Sequence, residues 1–354
     1  MRVLNRYIAI EILKSTSLAL LFLLSLVLII TFADELGDMG KGQYDLLAIV
    51  KYLALIAPRN FYELMPSATL LGALITLGGM ANNNELTAMR AAGISRWQII
   101  MSVLRVGVVL MLVSLFVSEF VAPTTEQAAQ MLRFTAKNEQ VAVRTQYGFW
   151  ARDGETYINI REIVNSSELK NISIYEMSKD NALKSSTHAA KASFLQDNWN
   201  LEGVKKTTIH ETGVQVNQVE TARLESILDP ELLDVMVVKP ERLSIIGLAN
   251  YIRYLQKNGQ DASHYLVAIT NKLMRPFVIL IMLLIAVPFV LGVKRAGSMG
   301  SRILIGTLIG VGFNLLDRLF GNIGLVYGLN PVISAALPFV LVLTLSIISI
   351  RRMS

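Results

Sequence analysis

Residue types that carry enzymatic chemistry occur in this chain, but not at the spacings that catalysis requires. The three histidines, His188, His210 and His264, are far apart in sequence, and neither His-Glu-x-x-His nor Gly-x-Ser-x-Gly occurs. The phosphate-binding loop Gly-x-x-x-x-Gly-Lys-Ser/Thr is absent as well, so we expect no ATP hydrolysis by that route. The sequence predicts no catalytic residue, no metal site and no cofactor in this chain.

Charged residues inside apolar segments remain as candidates, because they are costly in a membrane and mark functional sites by default. The chain is 53% hydrophobic with a mean hydropathy of +0.48, and its 17% charged residues fall below the roughly 25% of soluble domains. Arg59 and Glu63 lie four residues apart in one such segment. They either neutralise one another across one helical turn or contact a ligand.

Two further charged pairs lie near the ends of apolar segments. For Lys272 and Arg275, extension of the side chains towards lipid headgroups is the plain alternative to ligand binding. Asp317 and Arg318 are adjacent and must point to different faces of a helix, so we expect packing against other helices or another subunit.

Six stretches are long and apolar enough to cross a bilayer core of about 30 Å. The first follows two arginines, like a signal peptide, but it exceeds the apolar length of a cleavable signal and is predicted to be an uncleaved span. The second is interrupted by Pro58 and Pro66, which predicts either a kinked helix or an interfacial helix before a shorter span. The six predicted spans are Ile12–Phe32, Tyr52–Met80, Trp97–Val121, Leu266–Val293, Ile303–Leu319 and Pro331–Ile350.

The short connections predict the orientation, since Lys and Arg accumulate on the cytoplasmic side. Segments 1–11, 81–98, 294–302 and 351–354 hold nine basic residues, whereas segment 33–51 is acidic on balance and segment 321–330 is uncharged. Both termini are therefore predicted to be cytoplasmic. The same topology explains the formal charge of +6 without nucleic acid, because no basic cluster of the nucleic-acid-binding kind occurs.

The long segment between the third and fourth spans is predicted to be an extracytoplasmic domain. An exposed helix over 123–140 is followed by short β-type runs, separated by turn residues, that are typical of a β-sandwich or jelly roll. An amphipathic helix over 240–259 returns the chain to the membrane. The predicted fold is thus a six-helix membrane domain, 1–122 and 265–354, with an inserted all-β, jelly-roll-like domain over 123–264. The absence of cysteine is compatible with an oxidising compartment there. The β-type runs are Tyr157–Ile160, Ile172–Tyr175 and Thr207–Ile209, with turns at 153–154, 165–167, 179–181 and 197–198.

The segment between the second and third spans, 82–95, is predicted to be a short cytoplasmic amphipathic helix with a capping Asn and Gly93 at its end. Glu85 in its first turn could meet a basic groove on a cytosolic partner. The alternative is that Glu85 serves only the end of the helix.

Several motifs together resemble the LptF/LptG permeases of lipopolysaccharide export, the LptG type more closely. Each is weak alone, but their order along essentially the whole chain is specific. The motifs are Leu4–Ile8, Gly42–Asp45, Leu70–Leu74, Asn84–Gly93, Glu119–Pro123, Gly148–Gly154 and Val326–Gly328.

The resemblance implies a non-catalytic inner-membrane subunit that extracts lipopolysaccharide from the outer leaflet and passes it to a periplasmic bridge to the outer membrane. Its implied partners are the homologous permease LptF, a cytosolic LptB ATPase dimer that binds ATP and Mg, and the single-span periplasmic protein LptC. The 82–95 segment would be the coupling helix. Its implied coupling residues are Glu85, Arg90 and Gly93.

The resemblance also implies a lipid site. The first and fifth spans would form a lateral gate and line an apolar cavity, and basic residues near the outer face would meet the lipid phosphates. Relatives can carry lysines at the outer end of the first span, where this chain has Thr31, Gly37 and Asp38, with Lys41 the nearest base. The candidate lipid-binding residues are Arg59, Arg133, Lys41, Lys272, Arg275, Phe32, Phe313 and Leu316.

Two other function classes compete with this interpretation. A mechanotransmission or lipoprotein-releasing ABC subunit also pairs a periplasmic domain with an ATPase, but its usual mark is four spans. A membrane-embedded enzyme would require clustered intramembrane His, Asp or Glu, which the sequence does not provide.

Overall fold

A computed structural model describes residues 2–137, 149–165, 167–178, 182–195, 198–210, 213–225, 240–291 and 299–351. The chain divides into two compact units. The first, the membrane unit, comprises Met1–Gly37, Ile49–Ala129 and Ser263–Ser354; the second, the β unit, comprises Asp38–Ala48 and Gln130–Ala262.

Among the residues that the structure describes, six helices are long and apolar enough to cross a membrane, which agrees with the predicted number of spans. Three more helices complete the described set: a short one after the second span, one that continues the third and one before the fourth. In chain order the helices are α1 Arg2–Leu36, α2 Leu46–Asn82, α3 Glu85–Ala91, α4 Arg96–Phe116, α5 Ala122–Ala136, α6 Ile245–Lys257, α7 Ser263–Leu291, α8 Met299–Val326 and α9 Pro331–Arg351.

The second span is one continuous helix, which favours the first of the two predicted alternatives, a kinked helix, over an interfacial helix before a shorter span. Pro58 and Pro66 both lie inside α2. Each proline removes one helical hydrogen bond, but a break would expose further backbone groups to an apolar environment, and the helix therefore continues.

The third span also continues further than predicted. Val117–Val121 forms one turn of π-helix between α4 and α5, so the helix predicted over 123–140 is an extension of the span up to Ala136, and residues 138–140 lie outside the described residues. A π-turn inserts one extra residue into a helix, and Pro123 lies just after this turn, inside the continuous span.

The core of the membrane unit is a single apolar cluster contributed by α1, α2, α3, α4, α7, α8 and α9. Helices α1 and α2 approach closely, because a Cβ built on Gly72 would lie 2.6 Å from the Cα of Thr16. The buried apolar side chains of α1 end at Leu20. From Leu21 to Asp34 no side chain is buried against the described chain.

The described residues of the β unit form a six-stranded antiparallel sheet in which the strands are neighbours in chain order. One face of β2–β5 buries an apolar cluster that includes Ile158, Ile172 and Trp199. The three predicted β-type runs lie within β2, β3 and β5 and are confirmed. The strands are β1 Phe149–Asp153, β2 Thr156–Asn165, β3 Glu168–Met177, β4 Leu183–Leu195, β5 Asn198–His210 and β6 Gly213–Glu225.

The connections agree with the predicted turn chemistry where they are described. Gly154 has a positive φ of 58° in the turn between β1 and β2. Ser166, residues 179–181 and Asp197, which belong to the other predicted turns, lie outside the described residues. The second sheet of a jelly roll stays a prediction. The helix predicted over 240–259 is confirmed as α6, where Ser244 accepts a hydrogen bond from the N–H of Gly247 at the start and Gly259 follows the end.

Candidate functional site

The helix between the second and third spans is shorter than the predicted 82–95 and contains only Glu85–Ala91. The predicted capping Asn was wrong. Asn84 precedes the helix with a φ of 60°, and its side chain makes no capping hydrogen bond, because this left-handed residue turns the chain from α2 directly into α3. Gly93 is confirmed as the end residue, with a φ of 86°. Its N–H donates to Arg90 O while Ile94 N–H donates to Met89 O, the hydrogen-bond pattern of a glycine-terminated helix.

Glu85 is held by two uncharged donors. The hydroxyl of Tyr7 on α1 donates to Glu85 Oε2 over 2.9 Å, and the amide of Asn83 donates to Glu85 Oε1 over 3.3 Å. The next residue, Leu86, is only 4% exposed and belongs to the core of the membrane unit. Arg90 is exposed. The short helix therefore has a buried apolar face and presents a fixed, half-exposed carboxylate.

Arg59 lies in an ionic cluster inside the membrane unit. Its Nε is 3.2 Å from Glu63 Oε1, which confirms the predicted ion pair along α2. Its Nη1 is 3.4 Å from Glu126 Oε1 on α5, and Glu126 is 1% exposed. Glu126 was not predicted from the sequence, and no local pattern could reveal it, because its role depends on which helices are in contact.

Lys272 and Arg275 on α7 are placed differently from the predicted extension to headgroups. Lys272 is 7% exposed, so that prediction was wrong for this residue: the side chain is covered by neighbouring helices instead of reaching outward. Arg275 Nη2 is 3.8 Å from Asp317 Oδ2 on α8. Asp317 is 6% exposed whereas Arg318 is exposed, which confirms that the adjacent pair points to different faces and that Asp317 packs against another helix.

In the β unit, three cations surround one carboxylate, a group we call the Asp38 cluster. Lys41 Nζ is 2.6 Å from Asp38 Oδ1, Arg133 Nη2 is 3.5 Å from Asp38 Oδ2, and Lys137 Nζ contacts the same Oδ2. Lys137 also lies over the ring of Tyr44, 4.9 Å from its centroid. The hydrogen bonds from Lys137 and then Lys41 hold the pKa of Asp38 well below its usual value.

Two of these cations, Lys41 and Arg133, were predicted lipid contacts, and the structure brings them together. The sequence analysis missed Lys137 and the organising role of Asp38. A signal for Lys137 was present, because it follows Arg133 by four residues and so shares its face of a helix. The link to Asp38, 99 residues away from Lys137, had no sequence signal.

The predicted apolar contacts are spread over two helices. Phe32 on α1 and Leu316 on α8 are half-buried. Phe313 is buried against Phe339 of α9, with ring centroids 5.6 Å apart in an edge-to-face arrangement. Among the residues that the structure describes, no group of three or more His, Asp or Glu could hold a metal ion.

Comparison with known proteins identifies a protein family that matches this chain. The family described as "Lipopolysaccharide export system permease LptF/LptG" matches residues 6–352. The permease protein LptG of Escherichia coli (strain K12) is 36% identical over 339 residues, 95% of this chain and 94% of that protein. LptG of Haemophilus influenzae (strain ATCC 51907 / DSM 11121 / KW20 / Rd) is 32% identical over 340 residues, 96% of this chain and 95% of that protein. LptF of E. coli (strain K12) is 27% identical over 172 residues, covering 47% of this chain and 46% of that protein.

Proposed function

The chain belongs to the LptF/LptG family of lipopolysaccharide export permeases, and we propose that it extracts lipopolysaccharide from the outer leaflet of the inner membrane and passes it to a periplasmic bridge. The observation that carries this proposal is the match to LptG-type relatives over 95% of the chain, spans and β unit together. The LptG type is favoured over the LptF type because the latter matches only 47% of the chain.

The same family membership supports a proposal about the partners. We propose that the chain pairs with an LptF-type permease, a cytosolic LptB-type ATPase dimer that binds ATP and Mg, and the single-span periplasmic protein LptC. The chain itself contributes no nucleotide chemistry in this scheme. Closure of the ATPase dimer would move α3, and the cavity between the two permeases would collapse and push the lipid outward.

The contact with the ATPase is proposed to be Glu85, supported by Arg90 and by the turn at Gly93. Support comes from the fixed carboxylate of Glu85 and from the core contact of Leu86, since a rigid helix transmits movement better than a frayed one. Glu85→Ala is expected to lower lipid release while leaving the protein folded.

Two groups of cations, one in each unit, are proposed as separate contacts for lipid phosphates. Lys41, Arg133 and Lys137 of the Asp38 cluster form one group, in which a phosphate can bind beside Asp38 or in its place. Arg59, Lys272 and Arg275 of the membrane unit form the second group. The acyl chains would contact Phe32, Phe313 and Leu316.

Photo-crosslinking in membranes tests the lipid site directly. A photoreactive residue replaces Arg59, Phe32 or Phe313 in turn, and the adducts are probed for lipopolysaccharide. Adducts at all three positions are the expected result and indicate one shared lumen. A control position, Val214 on the exposed side of β6, should give none. The absence of adducts at all three positions would favour the lipoprotein-releasing alternative and reject the proposal.

A further inference from the structure

The carboxylate of Glu85 has different contacts from those of other acidic residues near the same end of the membrane unit. Glu11, for example, pairs with Lys14 over 3.0 Å. Glu85 instead accepts hydrogen bonds from the uncharged donors Tyr7 and Asn83, and within the described ranges it forms no ion pair. Two neutral donors fix the direction of a carboxylate without cancelling its charge, so the charge remains available for a cation from outside the chain.

The two donors are not equivalent. Asn83 is two residues from Glu85 and moves with it, so its amide gives only a local contact. Tyr7 is 78 residues away, on α1, and its hydroxyl therefore joins two separate helices. Tyr7 is 42% exposed, which indicates that its side chain does not serve to fill the core.

The first half of α1 is fastened to its neighbours by further contacts. Ser102 on α4 donates to Asn5 Oδ1 over 2.7 Å, and Thr76 on α2 donates to the backbone carbonyl of Glu11 over 3.0 Å. Ile8 is fully buried in the same apolar cluster as Leu86 of α3. A displacement of α3 must therefore either displace the first half of α1 or break the Tyr7–Glu85 hydrogen bond.

We propose that Tyr7 is a positioning residue for energy coupling: its hydroxyl aims the Glu85 carboxylate at a cationic side chain of the ATPase and ties α3 to the first span. The inference rests on the proposed function. To the proposed function it adds a mechanical path from α3 to α1. The second half of α1, Leu21 to Asp34, is not buried by the described chain and is the proposed lateral gate. No second chain is needed to form the link, because both partners belong to this one.

The test uses the complete transporter in proteoliposomes that contain lipopolysaccharide, with ATP added and a soluble lipopolysaccharide acceptor outside. The amount of lipid released and the amount of ATP hydrolysed are measured together, and their ratio is the readout. Tyr7→Phe removes the hydroxyl and keeps the ring. The ratio is expected to fall about ten-fold, the factor at the lower end of the range for one lost hydrogen bond to a charged group, while the yield of assembled complex is unchanged. A purely structural role would lower the yield and leave the ratio intact.

Two controls make the result specific. Tyr327→Phe removes a hydroxyl from an exposed tyrosine in another part of the membrane unit, and it should leave the ratio unchanged. Glu85→Gln keeps an acceptor for Tyr7 but removes the charge, so it should weaken association with the ATPase while Tyr7 stays in place.

The decisive measurement uses the double variant. In a Glu85→Ala background, Tyr7→Phe should cause no further loss, because Tyr7 acts through Glu85. An undiminished ratio in Tyr7→Phe alone, or an equal loss with and without Glu85, would overturn the inference while leaving the proposed function standing. If Glu85→Ala itself releases lipid normally, the coupling role of α3 is wrong, and the inference is rejected with it.

Discussion

Arg59 is retained inside an apolar helix because two carboxylates meet its guanidinium from different directions. Glu63 is on the same helix and partly exposed, whereas Glu126 on α5 is almost fully buried. A buried charge that loses its partner carries a large desolvation cost, while an exposed partner can be replaced by water. The two carboxylates are therefore unequal in their contribution to stability.

Glu126→Ala is expected to lower the free energy of unfolding by about 3 kcal/mol, because it leaves Arg59 without its buried partner. The matched change Glu63→Ala should cost about 1 kcal/mol or less, because Glu63 is more accessible. Unfolding in mixed micelles of increasing SDS content gives both values. Equal losses, or a larger loss for Glu63→Ala, would contradict this ranking.

Residue-level features were predictable from the sequence only where both partners lie close in the chain. The Arg59–Glu63 pair follows from a spacing of four residues, and the role of Gly93 follows from its place after a helix. Glu126 and Tyr7 were not predictable, since each acts on a residue more than 60 positions away. The burial of Lys272 was missed for the same reason: the sequence shows a cation near a span end, but not which helices cover it.

At the scale of elements, the packing of α1 on α2 depends on one position without a side chain. A Cβ on Gly72 would clash with the backbone of Thr16, at 2.6 Å from its Cα, and backbone atoms cannot move aside as a flexible side chain can. Gly79, two turns further along the same helix, would meet nothing within 4 Å. The two glycines therefore have different reasons to be present.

Gly72→Ala is expected to destabilise the protein by about 2 kcal/mol, because the added methyl group forces α1 away from α2. Gly79→Ala should be neutral or slightly stabilising, because alanine is the better helix former where space permits. Thermal unfolding in one detergent compares the variants. A loss of stability in Gly79→Ala as large as that in Gly72→Ala would show that helix propensity, and not the close approach, explains the effect.

The number of spans and the type of the three β-type runs were predicted, but not the ends of the elements. Hydropathy located all six spans because a bilayer requires a minimum apolar length. It left two alternatives open at Pro58 and Pro66 and ended the third span before Pro123, since a proline signals a helix end in water, whereas in an apolar environment continuation is less costly. The short helix α3 was predicted too long. The sequence suggests Asn84 as a capping residue, whereas in the structure it forms the turn between α2 and α3.

For the whole molecule, the orientation in the membrane is a prediction that rests on the distribution of Lys and Arg. The chain contains no cysteine, so one introduced thiol is a unique label. Two single-cysteine variants are suitable: Lys205→Cys, at an exposed position of β5, and Arg90→Cys, at an exposed position of α3.

A membrane-impermeant maleimide added to intact spheroplasts is expected to label Lys205→Cys and not Arg90→Cys. After permeabilisation both should react, which shows that both thiols are accessible. Labelling of Arg90→Cys alone in intact spheroplasts would place the β unit in the cytoplasm, and the transport role would then be rejected.

The order of strands in the β unit has a consequence for how the protein is made. Every described strand pairs only with its neighbours in the chain, so the sheet can assemble hairpin by hairpin as it emerges, without waiting for distant segments. All six strands precede α7, α8 and α9 in the chain. During biogenesis this domain can therefore acquire its sheet before the last three helices have left the ribosome, which shortens the time that unpaired strand edges are exposed to aggregation.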